Sequence, residues 1–371
     1  MNSVWQNIGR NIGMPLLASL FAIVIGGIIV AIIGFNPLVV YGSLVSGAFG
    51  NLYNLGSTLS GAVPLILIGL GIAIAFKAGL FNIGADGQYW VGAMASVWIG
   101  YHFTGMPGFP HILLALLGGM LAGGIWGGIV PGLAKAYLGA HEVITTMMMS
   151  YIGIFLVEYM IEEPHAPMRQ PGFFPQSPQI ATNTQLAPFL PLQVFQQSQL
   201  SVGLWIALAA AVVVWILLQR TTFGFQVRAV GFNQRASRYA GIRVPLYTVL
   251  TLGISGVFAG LAGGVQMLGV QYQLNDSFAS QYGYTAIVVS LLARNNPFGC
   301  VIAGIFFAAL NTGGQNMQQV SGVPASLTQV LTGLIIFFVA AERLIPMMRA
   351  WVRRRRPDAR SHAADEGGTL A

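Results

Sequence analysis

Charge is scarce in this sequence. Asp, Glu, Lys and Arg make up 7% of its 371 residues, against about a quarter of a typical soluble domain. So few charges cannot cover a soluble protein of this size, whereas a surface that faces lipid needs none. Cysteine is nearly missing: Cys300 stands alone, which excludes an internal disulfide and any multi-cysteine metal site. There is no G-x-x-x-x-G-K-[ST] loop to cradle a nucleotide phosphate, no G-x-G-x-x-G following a strand and no H-E-x-x-H. The five histidines, at 102, 111, 141, 165 and 362, are scattered over loops and span ends. No nucleophile–base pair is recognisable, so no catalytic residue, metal site or cofactor of its own is expected in this chain.

What the sequence has is apolar length. Hydrophobic residues are 55% of the chain, gathered into runs near 14–34, 61–79, 89–103, 111–130, 143–160, 201–219, 245–270, 297–312 and 327–343. A shorter run, 282–293, stops at Arg294-Asn295-Asn296 and reads as a short span, a broken helix or a re-entrant element. Crossing the hydrocarbon takes about 20 apolar residues. The pattern predicts an all-α polytopic membrane protein with about ten transmembrane helices, short or broken ones included. The first run, preceded by Arg10, is too long for a signal-peptide core and reads as a retained span.

Basic residues set the orientation. With ten crossings and a start inside, every Lys and Arg except Arg169 falls on the cytoplasmic side or its boundary, as the positive-inside rule requires. Both termini are then expected inside. Four arginines at 353–356 suit an anionic lipid surface rather than a nucleic acid. The expected organisation is a transmembrane domain over 1–346 and a basic, then polar, cytoplasmic tail over 347–371. A proline-broken extracytoplasmic loop is expected over 161–200, and a cytoplasmic loop over 220–244.

Polar residues among the apolar runs are few enough to single out. In Lys77-Ala78-Gly79-Leu80-Phe81-Asn82-Ile83-Gly84-Ala85-Asp86-Gly87-Gln88 the glycines permit a helix break. Phe81 could stack on a flat ligand, and Asn82 and Gln88 offer donors and acceptors. Asp86 must face protein or water. Two readings stand, a translocation path and a tight interfacial turn capped by Asp86. Glu142 opens the fifth run, where a negative charge favours a helix N-terminus; substrate contact is its other reading. Gln266, Asn275 and Asn311 are further polar candidates at span ends. Gly119, Gly123 and Gly127, like Gly256, Gly260 and Gly264, repeat every fourth residue and let helices approach closely, in a mobile or a static interface. In the stretch from Arg228 to Ile242, Ala236 and Ala240 share one face of a short helix. Arg235 and Arg238 project elsewhere and Gly241 ends the helix, giving either a docking element or a solvated basic loop.

Three of these stretches carry a family resemblance: Phe81-Asn82-Ile83-Gly84-Ala85-Asp86-Gly87-Gln88, Glu142-Val143-Ile144-Thr145-Thr146, and Gly231-Phe232-Asn233 leading to Ala240-Gly241-Ile242. In this order they resemble the permease subunits of bacterial ABC importers related to the ribose and branched-chain amino acid permeases, in particular the nucleoside and simple-sugar branch. The chain departs from that branch at Asp86, where glutamate is common, and at Ser237, where alanine is frequent. The resemblance implies import across the bacterial inner membrane with a second, homologous permease subunit. It further implies cytosolic ATPase subunits that use ATP and Mg2+, and an extracytoplasmic lipid-anchored solute-binding protein. Gly231, Asn233, Arg235, Ala236, Arg238, Ala240 and Gly241 would then couple the ATPase to the spans. Phe81, Asn82, Asp86, Gln88, Glu142, Gln266 and Asn311 remain the candidates for the solute path. A nucleoside leads as solute; a simple sugar or an amino acid is the alternative, and ion-coupled secondary transport or a nontransporting assembly role are readings of another class.

Overall fold

A computed structural model describes residues 24–334, apart from 104, 164, 189–197, 276–280, 325, 328 and 331–332. The chain divides into two compact units, Met1–Pro37 with Ser326–Ala371, and Leu38–Ala325. In the first, residues 24–32 are helical. Most of the expected runs 14–34 and 327–343, the arginines at 353–356 and the tail lie outside the described residues.

The second unit is built of helices. In chain order they are α1 (Pro37–Phe49), α2 (Leu52–Lys77), α3 (Ala85–His102), α4 (Gly108–Gly127), α5 (Glu142–Glu162), α6 (Gly203–Arg220), α7 (Thr222–Phe232), α8 (Gln234–Tyr239), α9 (Val244–Gln266), α10 (Tyr282–Leu292) and α11 (Pro297–Ser321). A π-turn at Gly128–Gly132, around Pro131, continues α4 into a further helical turn at Leu133–Leu138. A second π-turn, Met267–Gln271, ends α9. Among the described residues six helices are long and apolar enough to cross a membrane, and the protein is an all-α polytopic membrane protein.

Two helices differ from the sequence expectation. α1 falls outside every apolar run named above, because Gly42, Ser43, Ser46 and Gly47 interrupt it. Likewise α2 begins nine residues before its run, through the polar stretch Leu52–Ser60. Those polar groups join the two helices: Thr58 Oγ1 donates to the Ala48 carbonyl at 2.9 Å and Asn54 Nδ2 to the Ser46 carbonyl at 3.0 Å. Hydrogen bonds between helices serve in place of hydrophobic association when the surroundings are themselves apolar.

α9 is the central helix, packed against α2, α3 and α4. Its glycines meet those of α4 directly. A Cβ on Gly256 would overlap the Gly123 carbonyl, and one on Gly260 the Gly119 carbonyl. The two four-residue glycine repeats are therefore the two sides of one close contact. Between α5 and α6 the chain has a 3-10 turn at Thr182–Thr184. It lies over α3, where Ala181 N–H donates to the Gly100 carbonyl at 2.9 Å.

Candidate functional site

The end of α2 is where the motifs gather. Gly79 takes a left-handed conformation (φ +72°). Gly79 N–H donates to the Phe76 carbonyl at 3.1 Å and Leu80 N–H to the Ala75 carbonyl at 3.0 Å, the pair of bonds that closes a helix in a Schellman turn. The chain then crosses to α3 through Phe81, Asn82, Ile83 and Gly84.

Asn82 and Gln88 are 1% exposed and bond each other reciprocally: Asn82 Nδ2 donates to Gln88 Oε1 at 2.8 Å, and Gln88 Nε2 to Asn82 Oδ1 at 3.2 Å. Asn82 Nδ2 also reaches Ser255 Oγ of α9 at 2.9 Å, and Asn82 Oδ1 accepts from Gly84 N–H at 3.1 Å. Gly127 of α4 leaves the room for this amide pair, since a Cβ there would stand 2.7 Å from Gln88 Nε2. Buried amides cost little once their donors and acceptors are paired.

Asp86, 3% exposed, turns to another helix. Its Oδ1 accepts the Gly283 N–H at 2.8 Å. Gly283 is the second residue of α10, whose own N-cap, Gln281, supplies no capping side chain. The carboxylate of α3 therefore caps α10, satisfying an amide that the helix leaves open and complementing its dipole. A Cβ on Gly283 would stand 2.5 Å from the Asp86 Cβ, so glycine is what allows the approach.

The second motif packs on the first. Ile83 N–H donates to Thr146 Oγ1 at 3.3 Å, and Gly87 N–H to Ser150 Oγ at 2.8 Å. Glu142 forms an ion pair with Lys135 at 2.8 Å, joining the end of the α4 extension to the start of α5. The third motif arrives at the same end of α2. A Cβ on Gly231, in α7, would overlap the Lys77 carbonyl oxygen.

Beyond that contact the third motif is exposed. Asn233 caps α8, its side chain accepting from Ala236 N–H at 3.0 Å. Gly241 (φ +81°) closes the helix, with Ile242 N–H donating to the Ser237 carbonyl at 3.0 Å. Ser237 turns inward, while Arg235, Ala236, Arg238 and Ala240 point away from the bundle. Phe232 and Tyr239 are 90% and 95% exposed.

The remaining candidates do not join this cluster through a hydrogen bond. Phe81 is half exposed and meets Phe76 edge-on at 4.8 Å. Gln266 is buried at the end of α9. Asn311 is exposed on α11 and accepts from Gln315 Nε2 at 3.3 Å, and Asn275 bridges to Gln176. Sequence reasoning missed Ser150, Ser255 and Gly283. Ser150 was legible as a small polar residue one turn from Thr146, and Ser255 as the neighbour of Gly256; Gly283 carried no signal.

Membrane-length helices joined by paired polar groups define a multi-pass membrane protein. The family described as "Branched-chain amino acid transport system / permease component" matches residues 54–340, and the chain belongs to it. It is similar to the "Guanosine ABC transporter permease protein NupP" of Bacillus subtilis (strain 168), 38% identical over 92% of this chain and 97% of that protein. The "Nucleoside ABC transporter permease protein NupB" of Lactococcus lactis subsp. cremoris is 36% identical over 92% of this chain and 94% of its own length. The "Glucose ABC transporter permease protein TsgB13" of Haloferax volcanii is 33% identical over 95% and 93%. The chain is thus the permease subunit of an ABC importer, of the bacterial inner-membrane type. It works with a second permease subunit, ATPase subunits and a solute-binding protein, and ATP hydrolysis belongs to those partners.

Proposed function

We propose that this permease carries nucleosides inward by alternating access, driven by its partner ATPase. The observation that carries the solute class is its similarity, over 92% of its length, to two permeases whose names specify guanosine and nucleosides. A simple sugar is the second reading, favoured by the relative named for glucose. α8, with the exposed Ala236 and Ala240 and the aromatic side chains beside them, is the element that meets the ATPase. Gly231, Asn233 and Gly241 hold its shape, and Arg235 and Arg238 lie at the rim. The buried Asn82, Asp86 and Gln88 support the solute path by fixing the helices around it, with Phe81, Glu142, Gln266 and Asn311 assigned to its ends.

The topology that goes with this reading has ten spans over 1–346, both termini inside, 161–200 outside and the coupling loop 220–244 and the tail 347–371 inside. An 11-residue helix such as α10 rises only about 16 Å, half the hydrocarbon, and crosses by being surrounded with protein.

Uptake by the reconstituted complex, with its lipid-anchored binding protein, against a panel of nucleosides and sugars tests the solute class. Nucleosides are expected to be taken up, and only with ATP and binding protein present. Uptake of sugars alone would replace this reading with the second.

A further inference from the structure

The buried face of α5, through Thr146, Ser150 and Gly153, lies on α3; its other face carries Tyr151, Phe155 and Tyr159, all exposed. Tyr151 and Phe155 are stacked, with ring centroids 6.3 Å apart and planes 26° from parallel. Tyr284 of α10 comes up beside them, near Tyr151 and Ser150.

The depth of these rings is informative. Tyr151 lies nine residues from one end of α5 and eleven from the other, roughly 14 and 16 Å along the helix, which is mid-membrane for a span of this length. Tyrosines that face lipid belong at the two interfaces, where the hydroxyl meets water. At mid-depth a side chain with polar groups faces protein or a water-filled path. Tyr151 is nonetheless 47% exposed, with a second phenol at the same level. A lipid face offers nothing to either hydroxyl.

We infer that Tyr151, Phe155 and Tyr284 form this chain's part of a mid-membrane binding site for a planar aromatic ring, the base of the solute, with Asp86 as the positioning residue. Stacked aromatic side chains take a flat ring between or upon them, and two hydroxyls supply the polar contacts that its edge requires. Asp86 acts through α10: it holds the Gly283 amide, and Tyr284 is the next residue. This inference rests on the nucleoside reading.

Single-cysteine probes test it in the intact complex, after replacing the buried Cys300 by serine. A charged, water-soluble thiol reagent is expected to modify Tyr151→Cys and Phe155→Cys, at rates slowed at least fivefold by saturating guanosine with the binding protein. Ile302→Cys, on α11, serves as the control for a lipid-facing position and is expected to stay unmodified. In parallel, Tyr151→Ala should lower the maximal rate of nucleoside uptake about tenfold, the size of one lost base–aromatic stack, while Tyr151→Phe recovers most of it. If Tyr151→Cys and Phe155→Cys react no faster than Ile302→Cys, the face is a lipid face and the inference is wrong. Modification without protection by guanosine in a complex that takes up guanosine overturns the ring site and leaves the nucleoside reading standing. A wild-type complex that takes up only sugars overturns both.

Discussion

Asp86 has two sequence readings, a place on a solute path and the cap of a tight turn. A carboxylate in an apolar region must face protein or water, and here its oxygen accepts from the Gly283 amide of a helix almost 200 positions away. A buried amide left without an acceptor costs about 1–3 kcal/mol. Asp86→Leu should therefore destabilise the purified permease by about that amount, read as a fall in its melting temperature in detergent. Asp86→Asn keeps an oxygen acceptor at the same place and should lose less than half as much. Equal losses in the two variants would mean that the charge, and not the capping bond, is what the position needs. Asn82 and Gln88 were legible as polar partners from their type. That they bond each other was not, because the pairing depends on how the Gly84 turn aims two side chains six residues apart.

At the scale of the element, glycine spacing was the most readable feature. The repeats in α4 and α9 were each visible as a face without side chains, but only the structure matches one to the other, Gly123 to Gly256 and Gly119 to Gly260. Overfilling a close-packed contact costs about 1–3 kcal/mol, and here the obstacle is backbone, which cannot rotate away. Gly260→Ala is expected to lower thermal stability by that amount, whereas Gly42→Ala, with nothing within 4 Å of the new methyl, should leave it unchanged or slightly raised. Similar melting temperatures for the two would contradict the packing. The elements that escaped the sequence reading were those whose polar residues are spent inside the membrane region. α1 and the first turns of α2 look like a loop until Thr58 and Asn54 are seen bonding across to α1. The fold class needed only composition. The break after Lys77 was signalled by Gly79, and the end of α8 by Gly241, because both positions demand a left-handed backbone.

At the scale of the whole molecule, three separated motifs meet at one end of α2. The first makes the turn there, the second packs on that turn through Thr146 and Ser150, and the third places Gly231 against the Lys77 carbonyl. On the proposed coupling, a displacement of α8 is passed through Gly231 of α7 to the turn that holds Asn82, and from there to α3, α9 and α10. Packed contacts of this kind shift between discrete arrangements rather than deforming smoothly. The topology frames the same account. Cysteines introduced singly at 180 should be labelled from outside in sealed cells, and those at 235 and 360 should not. External labelling at 235 would place α8 on the wrong side for any ATPase.

Coupling through α8 is the central claim, and replacing Ala236 and Ala240 together by glutamate tests it most directly. The two carboxylates would have to be buried without partners in a docked interface, whereas on a solvated helix they cost almost nothing. With the variant inserted at normal abundance, the measurement is solute uptake alongside copurification of the ATPase. The account predicts uptake reduced at least tenfold together with weakened association. Normal association with normal uptake would contradict it.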